Sequence, residues 1–212
     1  MNQRDDQIEP QEAVVEAEVA DEADPFQDWP QPESASVIED APVEGASVEH
    51  VSGEIDVPDG YTVIEGTPTG KRRSVAIVVS RFNGGLTNRM LARALDALEE
   101  AGVAPEAITV MPVPGAFELP LAAMALAKTR RYACVVALGA IVRGETPHFD
   151  FIAGEAASGL QLAAIETGVP VTFGVLTVET VEQGEARIER AADAVRGALE
   201  MADVFAQLRA SA

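Results

Sequence analysis

Cysteine is nearly absent. Cys134 stands alone among 212 residues, which excludes a disulfide framework and a cysteine-built metal centre and fits a cytoplasmic protein. Long apolar runs are missing too: stretches such as "CVVALGAIV" (134–142) fall well short of the ~20 residues a membrane helix needs. No basic-then-apolar leader opens the chain, so neither membrane insertion nor export is expected. Basic residues are almost missing from the first sixty positions, where Arg4 faces 18 Asp and Glu. That imbalance argues against nucleic acid as a partner, because phosphate backbones select Lys and Arg. Histidine is scarce as well, and beyond residue 60 only His148 remains.

The acidic excess is local. Residues 1–60 carry a charge of about −17 of the chain's net −20. Their sequence, "DDQIEPQEAVVEAEVADEADPFQDWPQPESASVIEDAPVEG" in its central part, is rich in Pro and Ser and has no sustained apolar period. Such a segment buries too little surface to offset its ordering entropy, so residues 1–60 are expected to form a disordered acidic tail and residues 61–212 the folded domain. Two readings of the tail stand: a solubilising extension, or a binder of a basic protein partner or cargo with Phe26 and Trp29 as apolar anchors.

From residue 61 apolar runs alternate with segments of helical period. "YTVIEG" (61–66) suits a short leading strand, and "SVAIVVS" (74–80), "ITVMPV" (108–113), "CVVALGAIV" (134–142) and "VTFGVLTV" (171–178) suit strands covered on both faces. Helical spacing follows each of the four: around Leu91, Ala94, Leu95 and Leu98 up to a stop at Gly102, through "FELPLAAMALAKT" with Pro120 in its first turn, from Pro147 to about Thr167, and from Glu179 to the C-terminus. Four repeats of strand and helix imply an α/β fold, a parallel sheet between helical layers. Ligands then collect at the carboxyl ends of the strands.

The turns at those ends read "SRFNGG", "VPGAFE", "RGETPHFD" and "TVETVEQ". In the third, Thr146 suits an N-cap, Pro147 the first helical position, and His148 the first turn. Free N–H groups of a helix start beside Gly144 suit an anion such as phosphate. The same positive dipole end disfavours imidazolium, which leaves His148 able to accept a proton near neutral pH. Arg143, just before it, reads as a surface group. Each turn alone is ordinary chain-reversal chemistry.

Together, "SRFNGGLTNRML", "VPGAFELPLAA", "ALGAIVRGETPHFDFIAGEAASGL", "GVPVTFGVLTVETVEQGEAR" and "ALEMADVF" resemble the lumazine synthase family from about Tyr61 to Leu208. The resemblance implies a flavodoxin-like three-layer sandwich with a four-stranded parallel sheet, and a leading strand that joins a neighbouring subunit's sheet. It implies a transferase of riboflavin biosynthesis that condenses 5-amino-6-(ribitylamino)uracil with 3,4-dihydroxy-2-butanone 4-phosphate, without cofactor or metal. By the same resemblance Phe82 and Asn83 meet the pyrimidine ring, backbone groups of Ile141 and Val142 its edge, and Gly115, Ala116, Phe117 and Glu118 the ribityl chain. Gly144, Glu145 and Thr146 match the phosphate turn, His148 the proton-transfer histidine, and Arg187, fourteen residues after Phe173, the phosphate-binding arginine. Phe173 matches a residue that closes the pocket from the next subunit of a pentamer, and in some members pentamers assemble into an icosahedral shell.

One stretch departs from the family pattern. After Arg187 the chain runs "IERAADAVRGALEMAD" directly, without the usual Gly- and Lys-containing loop. Arg190 then falls where the family has a lysine near the phosphate, or is a solvated helix residue. The departure leaves an alternative function open: an inactive ribityl-pyrimidine-binding or shell-forming scaffold of the same fold.

Overall fold

Each of the four main apolar runs becomes a strand. The structure, a computed structural model, describes residues 55–211; the expected disorder of the acidic tail lies, for residues 1–54, outside the described residues. Strands β1 (Val75–Ser80), β2 (Ile108–Val113), β3 (Cys134–Val142) and β4 (Val171–Val178) pair in parallel in the order β2-β1-β3-β4. Helices α1 (Gly84–Glu100), α2 (Leu119–Lys128) and α3 (His148–Thr167) make the crossovers, and α4 (Val181–Glu185) and α5 (Arg190–Ala210) follow β4. This is the expected α/β architecture, with its strands within a residue or so of their predicted limits.

The central strand shows why its run is apolar throughout. Every residue of β1 is buried, and alternate side chains enter different layers: Val75, Ile77 and Val79 meet Leu86, Met90, Val195 and Leu199 of α1 and α5, while Ala76 and Val78 meet Leu119, Ala123 and Leu160 of α2 and α3. Burying each such Leu or Val side chain contributes about 1.5–3 kcal/mol. Small residues bring the second layer close: a Cβ on Gly159 of α3 would lie 2.6 Å from Pro120 Cβ of α2. Among the described residues no helix is long and apolar enough to cross a membrane.

Two local expectations are corrected. Residues 61–66 are not a strand in the single chain, since a strand needs a partner and none lies beside them among the described residues; Tyr61, Val63 and Ile64 stand exposed. The segment is nonetheless held on α5, where Gln207 Nε2 donates to the Glu65 carbonyl (2.7 Å), the Thr67 N–H donates to Asp203 (3.1 Å), and Arg73 pairs with Asp203. The helix expected from Glu179 to the C-terminus is two helices. Thr180 caps α4 by accepting from the Gln183 N–H, and i→i−3 hydrogen bonds from the N–H groups of Arg187, Ile188, Arg190, Ala191 and Ala192 tighten the backbone into a turn between α4 and α5. Gly184 is packed against Leu86 there, so α4 rests on α1 and the chain must turn before α5 can cover the sheet.

Candidate active site

The chain leaves β1 toward β2 and returns to the other side of β1 for β3, so the sheet order reverses between β1 and β3. A crevice opens outside the carboxyl ends of strands at such a point. Here it is a cleft of about 790 Å³, walled by Phe82, Asn83, Pro114, Gly115, Ala116, Phe117, Glu118, Ala140, Ile141, Val142, Gly144, Thr146, His148, Phe149 and Ile152.

Each wall has a local cause. The Arg81 and Phe82 N–H groups donate to Val113 and Pro114 carbonyls, extending the β1–β2 pairing one step past the strands. Phe82 is left with 71% of its surface exposed, an apolar face largely uncovered among the described residues. Asn83 adopts a left-handed conformation (φ 57°, ψ 43°), which its short amide tolerates, and its Nδ2 donates to the Ala140 carbonyl at 2.8 Å. That bond ties the β1 turn to the end of β3. After β2, Glu118 Oε2 accepts from the Gly115 N–H (2.8 Å), folding the turn back on itself and leaving Oε1 open. This turn is a short 3-10 segment, Ala116–Glu118, so α2 starts at Leu119 rather than at Phe117 and Pro120 is its second residue. Strand β3 outruns β1: its pairing with β1 stops at Leu138, whereas that with β4 continues to Val142, so one backbone edge at Gly139–Val142 has no strand beside it.

The third turn carries the polar chemistry. Helix α3 begins at His148, with Pro147 rather than Thr146 in the N-cap position and no capping side chain. Thr146 is displaced because Pro147 already has αR dihedrals while lying outside the helix (φ −63°, ψ −1°). No acceptor among the described residues takes the N–H groups of Gly144, Glu145, Thr146 or His148, and a Cβ on Gly144 would meet no protein atom. An uncapped helix start with free N–H groups has the chemistry that suits an anion, and Gly144 and Thr146 of this turn border the cleft. His148 lies exposed at its rim.

Four predicted site residues lie elsewhere. Phe173, Arg187 and Arg190 line a separate pocket of about 220 Å³ against β4, and Glu145 lines neither. Arg187 Nη1 donates to the Gln183 carbonyl (2.9 Å) and Arg190 approaches Asp193 (3.7 Å), which aligns two cations on one side of β4. Pro114, Ala140, Phe149 and Ile152 join the cleft without having been singled out; the position of Phe149 and Ile152 in the first turns of α3, beside His148, was the available signal. Arg143, read as a surface group, is held by Asp150 and Glu179, and its hydrogen bonds to them, Asp150 first, raise its pKa. Cys134, at the opposite end of β3, is buried, and desolvation pushes its thiol up to about 12, so it stays protonated.

The family model described as 6,7-dimethyl-8-ribityllumazine synthase matches residues 72–206. The chain is 43% identical over 155 residues to the 6,7-dimethyl-8-ribityllumazine synthase of Desulfatibacillum aliphaticivorans, covering 69% of this chain and 98% of that one. It is 45% identical over 155 residues to the enzyme of the same name from Syntrophus aciditrophicus (strain SB), covering 69% and 99%. On the match over residues 72–206 and the two relatives, the chain belongs to the 6,7-dimethyl-8-ribityllumazine synthase family.

Proposed function

We propose that the cleft and the β4 pocket are two halves of one active site, closed between adjacent copies of this chain. In it 5-amino-6-(ribitylamino)uracil condenses with 3,4-dihydroxy-2-butanone 4-phosphate to 6,7-dimethyl-8-ribityllumazine, phosphate and water. This transferase reaction is the penultimate step of riboflavin biosynthesis. The observation that carries the reading is the division of chemistry: apolar faces and open backbone groups gather in one cleft, and the two arginines that an anionic substrate needs line another on the same chain.

In this reading the exposed Phe82 ring stacks on the pyrimidine, and the Val142 backbone on the open edge of β3, with Ile141 beside it, addresses its polar rim. The ribityl hydroxyls meet the Gly115–Phe117 backbone and the open oxygen of Glu118, with Asn83 fixing the floor. The phosphate sits on the N–H groups of Gly144, Glu145 and Thr146, and Arg187 and Arg190 of the adjoining copy close over it with Phe173. His148 takes the proton released as the amine attacks the ketone, and returns one as water leaves; the imine then loses the proton of the adjacent carbon as phosphate departs from the terminal one, the resulting enol becomes a ketone, and the second amine closes the ring on it with loss of a second water. Such proton transfer is worth ~10²- to 10⁴-fold. Holding both substrates in contact supplies much of the remainder.

Surfaces of the single chain support assembly. The edge strand β2 exposes Val110 and Met111, and residues 61–66 expose Tyr61, Val63 and Ile64 with no strand beside them, so the leading segment of one copy suits the β2 edge of the next. Helix α3 carries a second apolar stripe of Phe151, Leu162 and Ile165. A homopentamer, or a shell built from pentamers, buries all three. We place the protein in the cytoplasm, consistent with its single buried cysteine, and assign to the acidic segment 1–60 the role of solubilising the assembly or taking a basic partner.

The test is turnover of the two substrates by purified protein, read by lumazine absorbance, beside His148→Ala. Product from the parent and a large loss in the variant support the reading. No product above spontaneous condensation, with ribityl-pyrimidine still bound, would instead make the protein an inactive scaffold of the same fold.

A further inference from the structure

Arg143 stands at the junction of three elements. It is the first residue past β3, and its N–H donates to the Val178 carbonyl at the end of β4 (2.9 Å). Its side chain then spans to two carboxylates. Nη1 and Nη2 donate to both oxygens of Asp150, in the first turn of α3, at 3.3 and 3.1 Å, and Nε donates to Glu179, just past β4, at 2.9 Å. The guanidinium carbon also lies 4.1 Å from the centroid of the Phe149 ring, which forms part of the cleft wall. Residues 144–148 run between Arg143 and Asp150, so this fork closes a short loop that contains the whole anion turn and His148.

Two features separate this arrangement from a phosphate ligand and from an ordinary surface ion pair. Three of the five guanidinium N–H donors are committed to carboxylates, and one arginine between two carboxylates leaves the group with a net charge of −1, which attracts no anion. An exposed pair of this kind would ordinarily matter little. Here, however, the turn has no capping side chain and no internal acceptors for its N–H groups, so the fork and the Phe149 stack supply side-chain restraints that the turn itself lacks.

We propose that Arg143 is a positioning residue for the phosphate turn: by holding Asp150, Glu179 and Phe149 together it keeps the Gly144–Thr146 N–H groups and His148 in the arrangement that receives the phosphate substrate. The proposal rests on the phosphate site assigned above. It also makes a prediction of sign. Removing the negative charge of Asp150 would tighten anion binding if Arg143 and its partners acted only through the local field, and would weaken it if the fork sets the turn.

The probe is inorganic phosphate as a competitor, with Ki and the KM of each substrate measured on the full chain for Arg143→Ala, Arg143→Lys, Asp150→Asn and, as reference, Arg187→Ala. Arg143→Ala and Asp150→Asn are both expected to raise the phosphate Ki and the KM of the phosphate substrate about tenfold, leaving the KM of the pyrimidine and the oligomeric state unchanged. Arg143→Lys, which keeps the charge but not the fork, should recover only part of the loss. Tighter phosphate binding in Asp150→Asn overturns the proposal, as does an unchanged Ki in Arg143→Ala when Arg187→Ala raises it. If neither arginine variant alters Ki while turnover persists, the phosphate site itself is wrongly assigned and the proposal falls with it.

Discussion

The cleft at β1–β3 and the pocket against β4 are made of contrasting materials. The first offers aromatic faces, backbone N–H groups and one histidine; the second offers two guanidinium groups and a single phenyl ring. Neither half is complete for a reaction between an aromatic heterocycle and a phosphorylated ketone: the cleft lacks an uncommitted cation, and the pocket lacks a platform or a proton carrier. The contrast shows that the chain distributes its chemistry between two places, which the proposed site between adjacent copies joins by assembly rather than by folding.

The strongest way to break this comparison is to disable each half in a different copy. His148→Ala should lower kcat by about 10²-fold or more with little change in either KM. Arg187→Ala should raise the KM of the phosphate substrate by about 10- to 100-fold, the worth of a charge-assisted hydrogen bond. Mixing the two variants after dissociation and reassembly should restore activity, because some sites then take both intact halves; no recovery would mean that each chain works alone.

A second test asks whether assembly needs the exposed leading segment. Val63→Asp together with Ile64→Asp should yield smaller species by light scattering, inactive yet still able to bind a ribityl-pyrimidine in the cleft. Full-sized assemblies from this variant would remove the segment from the interface.

Smaller effects sharpen the role of the scaffold beneath both halves. Gly159→Ala places a methyl group against the rigid Pro120 ring and should destabilise by about 1–3 kcal/mol in denaturant unfolding, without altering KM. The smallest effect concerns Asp203, whose carboxyl is held below its usual range first by the Thr67 N–H, then by Gln207 and Arg73. Its stabilisation is therefore present above the ordinary carboxylate pKa of about 4 and lost as pH falls through the lower folded-state value. Asp203→Asn should flatten the acid limb of the stability profile; an identical limb would show that the contact to residues 65–73 does not couple to folding.

How much of this was legible in the sequence depends on distance along the chain. The β-branched runs at 75–80 and 134–142 announced buried strands, because a strand covered on both faces must be apolar at every position. His148 at the start of α3 was readable from Thr-Pro-His, although Pro147 displaced Thr146 from the cap. The break between α4 and α5 was not readable, since it follows from Gly184 packing against Leu86, almost a hundred residues earlier. Nor was the fork of Arg143, whose second carboxylate lies thirty-six residues away on another strand end.

Periodicity and turn chemistry act over a few residues, so the elements, their order and the polar turns between them follow from the chain alone. Long-range packing alone brings Asn83 to Ala140, pairs Arg143 with carboxylates rather than leaving it free, and sets Arg187 and Arg190 apart from His148. Those outcomes depend on which strand ends the sheet order brings together. A β2-β1-β3-β4 arrangement opens its crevice between β1 and β3, and the side chains beyond β4 fall outside it.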